Sequence, residues 1–175
     1  MPIIAFYTFG ILNQPYGHPQ VQEFYDKIDA VFSQAKESEG LIEINSELAG
    51  REAALPRFYD REKDPEAPST LSCWKDLESV FAFAYKGLHG AALRKRHEWF
   101  RKGDWPTYVA WWISDDHIPT AKEAVHRLEH LHDNGSTPFA FNFKKPFDAY
   151  GNPVQPDAVK IKRNIQKNEC GSHLP

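Results

Sequence analysis

Tyr85 and His89 stand four residues apart in the run LESVFAFAYKGLHG. On a helix this spacing brings both side chains onto one face. An imidazole titrating near ~6.5 beside a phenol can move a proton and polarise a carbonyl. The same face, continued, reaches Leu93, Arg96, His97 and Phe100. Arg96 is placed there to hold a carboxylate or enolate in its guanidinium fork, with His97 beside it. Each residue also has a structural reading. His89 can satisfy a backbone carbonyl near the break at Gly87 and Gly90, and the run from Arg94 to Glu98 can be a solvated basic face. Both readings stay open from sequence alone.

The segment Leu71–Trp112 holds all five tryptophans: Trp74, Trp99, Trp105, Trp111 and Trp112. Aromatic walls with a few convergent polar groups make small-molecule pockets; they also make ordinary cores. Trp74, Phe81, His97, Trp99, Phe100 and Trp112 are the candidate substrate-binding residues, and His89, Tyr85 and Arg96 the candidate catalytic ones. Trp111 and Trp112 are adjacent in a strand and face opposite sides, so one is expected to line the pocket and the other an interface between two copies. His117 precedes Pro119-Thr120 and organises a helix start. His126 and His130 have a metal-ligand spacing, but H-E-x-x-H is absent and no acidic third ligand accompanies them or His132. His18, in a Pro/Gly-rich loop, is an outside candidate for a pocket rim. No phosphate-binding loop, dinucleotide glycine fingerprint or G-x-S-x-G elbow occurs, so neither a metal nor a cofactor is expected.

The elements that must position these groups follow from composition and periodicity. A chain of 175 residues with 41% apolar and 14% aromatic side chains suits one domain with a real core. A formal charge of -3 argues against nucleic acid as a partner, because such proteins carry a strongly basic face. Cys73 and Cys170 lack zinc or redox spacing, and both are expected reduced. The opening MPIIAFYTFGIL has no basic leader and reads as a strand rather than a signal peptide. No run approaches the ~20 apolar residues of a membrane span, so a soluble, cytoplasmic protein is expected.

Ile3–Phe9 reads as a strand, and 19–36 as an amphipathic helix from apolar positions three and four apart. A short strand follows at Leu41–Ile44. Residues 48–69, rich in proline and charge, read as a long loop. A strand at Thr70–Trp74 precedes a helix capped by Asp76, which pauses near Gly87 and Gly90 and resumes to Phe100. Thr107–Ile113 is an apolar strand. Thr120-Ala-Lys-Glu123 is a capping box that opens a helix to His132, ended by Asn134-Gly135. Phe139, Phe141 and Phe143 alternate in a last short strand. Residues 1–147 thus form the domain, and 148–175 an extended tail. The order predicts an α+β fold, a ferredoxin-like antiparallel sheet with helices on one face. Its bare face would be covered by a second copy in a homodimer.

Several motifs together resemble a known family. They are an S-x-W strand at Ser72–Trp74, F-x-Y-x-x-x-H at Phe83–His89, and a basic cluster running into Glu98-Trp-Phe100. A W-W strand, H-x-P-T at His117–Thr120 and F-x-F at Phe141–Phe143 complete the set. The chain is similar over roughly Ile4–Phe147 to the family catalogued as domain of unknown function 3291. It departs in its longer 48–69 segment and its tail. The resemblance implies the dimeric α/β-barrel superfamily, which includes cofactor-free monooxygenases, cyclases, isomerases and haem-binding enzymes. It also implies that Tyr85 and His89 are the acid–base pair. Fold alone assigns no reaction.

The expected function is a cofactor-independent enzyme for an apolar substrate, such as a polyketide or terpenoid natural-product intermediate. It would catalyse cyclisation, isomerisation or rearrangement through orientation and His/Tyr acid–base chemistry. The alternatives are a cofactor-free monooxygenase of an anthrone- or quinol-like substrate, haem binding through His89, and a non-enzymatic ligand-binding dimer. Substrate identity is not legible in the residues.

Overall fold

The computed structural model describes residues 1–45 and 54–171. Its strands are β1 (Ile3–Phe9), β2 (Leu41–Asn45), β3 (Ser69–Trp74) and β4 (Tyr108–Ile113). They form one sheet in the order β2-β3-β1-β4, with every neighbouring pair antiparallel. The helices are α1 (Pro19–Glu37), α2 (Leu77–Tyr85), α3 (Gly87–Trp99), α4 (Ala121–Asn134) and α5 (Ala158–Gly171). The expected α+β fold and ferredoxin-like strand order are therefore present.

Register decides which residues face which helix. Ala5 pairs with both Cys73 and Trp111, and Ile4 with Trp74 and Trp112, so odd and even residues of β1 and its neighbours divide between two faces. Ile4, Phe6, Trp74 and Ala110 pack under Ala35 of α1 and Leu77, Val80 and Phe83 of α2. Ala5, Tyr7, Leu71, Cys73, Val109 and Trp111 pack on the opposite side, under Ala124, Leu128 and Leu131 of α4 with Leu55, Phe58 and Tyr59. The expectation of helices on one face only is corrected: α4 and the 54–68 segment cover the second face from within the chain. With that face closed, the argument that a second copy must cover it no longer applies.

Of the long connection read over 48–69, residues 48–53 lie outside the described residues. Residues 54–68 form turns without helix or strand. Arg57 fastens them to α4 through its backbone N–H on Glu129 Oε1 at 2.7 Å and its guanidinium on Asp133, while Phe58 stacks on Trp105 at 5.8 Å.

Two expectations about the C-terminal third are also corrected. Phe139–Phe143 makes no strand; Ala110 and Phe141 exchange one pair of backbone hydrogen bonds of 2.9 Å. The tail after Phe147 is not extended throughout. Asp157 Oδ1 accepts from Val159 N at 2.8 Å and Lys160 N at 3.2 Å, an N-terminal cap that starts α5 directly after Pro156.

Candidate functional site

The break between α2 and α3 governs where Tyr85 and His89 point. Lys86 adopts φ -128 and ψ 173, and Gly87 follows at φ +59, a left-handed conformation that favours glycine. The two residues therefore sit on different helices, and their four-residue spacing does not put them on one face. Gln34 of α1 caps the new helix, its Oε1 accepting from Leu88 N at 2.9 Å.

His89 Nδ1 donates to the carbonyl of Ala84 at 2.9 Å, closing one of the orphan acceptors at the end of α2. Its ring packs at 4.6 Å on Phe83, which stacks at 5.1 Å on Trp74. Burial pushes the imidazole below its ordinary pKa, opposed by the Ala84 hydrogen bond. The neutral ring carries its proton on Nδ1 and leaves Nε2 as a base. Trp74 is fully buried, and its indole N–H donates to Ser72 Oγ at 2.8 Å.

Tyr85 turns instead toward an aromatic shelf. Its ring lies 5.7 Å from Phe81 and 6.2 Å from Phe143, and Phe81 and Phe143 are 4.4 Å apart. Tyr108, at the start of β4, completes the shelf at 4.9 Å from Phe143. The Tyr108 hydroxyl accepts from Phe143 N at 3.2 Å; burial first, and the neighbouring Tyr85 phenol second, raise its pKa. Tyr85 is 44% exposed, so its own proton is available outward. Trp112 borders the same layer and donates its indole N–H to Phe147 O at 2.7 Å.

The other expected site residues lie elsewhere. Arg96 and His97 are exposed, and Arg96 Nη1 donates to Leu93 O at 2.8 Å in its own helix. Trp99 and Phe100 pack with Leu12, Val21 and Phe24 in a separate cluster. The structure thus joins Phe81, Tyr85 and Trp112 to one layer, joins His89 to Trp74 through Phe83, and leaves the basic run in solvent. Sequence reading missed Tyr108 and Phe143. Alternation along β4 would have found Tyr108, since it shares a face with Trp112.

The remaining histidines have structural tasks. His18 caps α1, its Nδ1 accepting from Gln20 N at 3.2 Å. His117 Nε2 donates to Glu123 Oε2 at 2.7 Å, while Trp111 Nε1 and Arg127 Nη2 each donate to Glu123 Oε1 at 3.0 Å. Burial opposes ionisation of Glu123, but His117 and Arg127 outweigh it and hold the carboxyl below its usual range. His126 and His130 flank the Phe139 ring at 5.5 and 4.8 Å. No metal-ligating group of three or more His, Cys, Asp or Glu occurs among the described residues. Cys73 is a free, buried thiol, pushed up to about 11 by burial; the side chain of Cys170 lies outside the described residues. No helix among the described residues is long and apolar enough to cross a membrane.

No curated protein matches the sequence. Among solved structures, a protein of unknown function from Nitrosomonas europaea is similar at 12% identity and a TM-score of 0.45, over 69% of this chain and 97% of that one. A conserved protein from Methanosarcina mazei is similar at 18% identity and a TM-score of 0.42, over 65% and 92%. The family model described as "Domain of unknown function (DUF3291)" matches residues 3–157; the chain belongs to that family.

Proposed function

We propose that this protein binds an apolar small molecule bearing a carbonyl on the shelf of Phe81, Tyr85, Tyr108 and Phe143, and promotes its isomerisation or cyclisation. One observation carries the reading: the half-exposed Tyr85 phenol stands against the Phe81 and Phe143 rings, next to the buried Tyr108 hydroxyl that Phe143 N–H holds. Tyr85 is a phenolic donor set in an apolar surface. Donation to a carbonyl oxygen stabilises the negative charge that enolisation or ring closure develops there. The flat aromatic wall holds the substrate in a reactive conformer. A polyketide- or terpenoid-like intermediate has the required combination of apolar bulk and ketone. His89, with Nε2 basic, is the candidate proton acceptor of the chain, although its position on Phe83 separates it from the shelf.

A second reading, ligand binding without turnover, is favoured by the Ala84 cap, which gives His89 a sufficient structural task. The two are separated by incubating the protein with polycyclic ketones and anthrones and resolving the products by chromatography and mass. Isomerisation or cyclisation changes retention at constant mass; oxygenation adds oxygen and stops under anaerobiosis. Tyr85→Phe is expected to lower turnover about 10–100-fold, in line with loss of one charge-stabilising donor, with the circular dichroism spectrum unchanged. Full turnover in that variant removes Tyr85 from the mechanism. Affinity without any product supports the binding reading.

A further inference from the structure

The family match ends at residue 157, and α5 begins at Ala158. This helix lies on α2, yet its attachment is mostly polar. Lys160 Nζ reaches Asp76 Oδ2 at 2.9 Å and Glu78 Oε2 at 3.2 Å, and Lys167 Nζ reaches Glu39 Oε1 at 3.1 Å. Asn168 Oδ1 accepts from Glu39 N at 2.8 Å, and Asn164 Nδ2 donates to Ser79 Oγ at 3.4 Å. Asn164 is the buried side chain among those described in the helix; Ile161 and Ile165 are half-buried, and Val159 is 77% exposed. Partly exposed ion pairs contribute little each and weaken with salt, and little apolar area reinforces them. A segment so attached belongs to the low-stability end of a structure and opens before the core does.

Beneath α5 is a cavity of about 40 Å³ lined by Gln34, Ala82, Phe83, Gly87, Ile165 and Asn168, among others. Lifting α5 withdraws Ile165 and Asn168 from its wall and bares the Phe83 ring, behind which stand Trp74 and His89. The same motion strips lysines from Asp76, Glu78 and Glu39, leaving an acidic rim. We propose that α5 is a strap that lifts from α2 as a unit, with ionic strength setting its docked fraction, and that the uncovered groove admits apolar molecules carrying no negative charge. The strap stands independently of the Tyr85 reading, which concerns Phe81, Tyr85 and Phe143.

Hydrogen exchange of the full chain, read by mass spectrometry, tests the strap. Between low salt and about 1 M salt, where the Debye length falls to about 3 Å, α5 amides are expected to exchange roughly tenfold faster while β1 and β3 stay unchanged. Lys160→Ala/Lys167→Ala should reproduce that exchange at low salt. Exchange of α5 that ignores both salt and the double variant, or that changes only together with the strands, overturns the strap. A neutral naphthylamine dye tests the groove in a Ser79→Cys/Asn164→Cys chain carrying Cys170→Ser, since the native side chains at 79 and 164 already meet. The dye should brighten with salt in the reduced chain, be bright already at low salt in the lysine double variant, and stay dim at all salt in the oxidised chain. Equal brightening when locked, or a lysine double variant that is dim at low salt, overturns the groove.

Discussion

At the scale of single residues, the imidazole of His89 shows how burial and a helix end share one side chain. It closes the Ala84 carbonyl and packs on Phe83. Its folded pKa lies below the ordinary value, so the folded state binds a proton less readily than the unfolded chain. The sign follows: stability is fully present above the ordinary histidine value near ~6.5 and falls as pH drops below it, because the unfolded state then takes up the proton first. Urea unfolding of the protein and of His89→Gln, compared between about pH 7.5 and 5.5, should show a steeper loss in the parent. Equal slopes would mean that the ring titrates freely. At neutral pH the substitution should cost about 1–2 kcal/mol through the lost hydrogen bond.

At the scale of elements, one peptide decides the candidate site. Had 77–99 run as an unbroken helix, Tyr85 and His89 would have shared a face. Lys86 and Gly87 instead swing the chain, and Gln34 stabilises the restart. Gly87→Ala tests this joint. A Cβ at φ +59 would run into the Gln34 amide, and the left-handed backbone alone costs an alanine about 1–2 kcal/mol. The expected loss is about 2–3 kcal/mol once the cap on Leu88 is disturbed, measured by thermal or urea unfolding. An unchanged midpoint would show that the joint relaxes into a continuous helix. Tyr85 fluorescence and near-ultraviolet dichroism would then report its departure from the shelf.

At the scale of the whole molecule, the sheet is a middle layer. Leu128 is fully buried on α4, over the face that includes Val109 and Trp111. Leu128→Ala should therefore destabilise the protein by about 2–5 kcal/mol, with a urea midpoint that does not move with protein concentration. A concentration-dependent midpoint would indicate that a second copy contributes to the cover. The 54–68 segment shares this work, and Arg57 with Asp133, Glu129 and His132 holds it in place. The proline- and charge-rich stretch that read as a loop is thus part of the wall over the core.

The sequence by itself determined the four strands of the sheet, the helix starts at Asp76 and Thr120, and the pause near Gly87, because alternation, 3.6-residue periodicity and capping chemistry are local properties. It also determined that Trp111 and Trp112 face apart. Tertiary structure alone decided what covers each face, because the apolar stripe of α4 suits either this chain's own sheet or a partner's equally well. It alone placed Tyr108 beside Tyr85 and His89 beside Ala84, since these contacts depend on the direction of the chain after Lys86. The docking of α5 was decided there too: its residues read as an extended tail, and the acidic residues awaiting Lys160 and Lys167 are contributed by α2 with its cap and the turn before β2, far away along the chain.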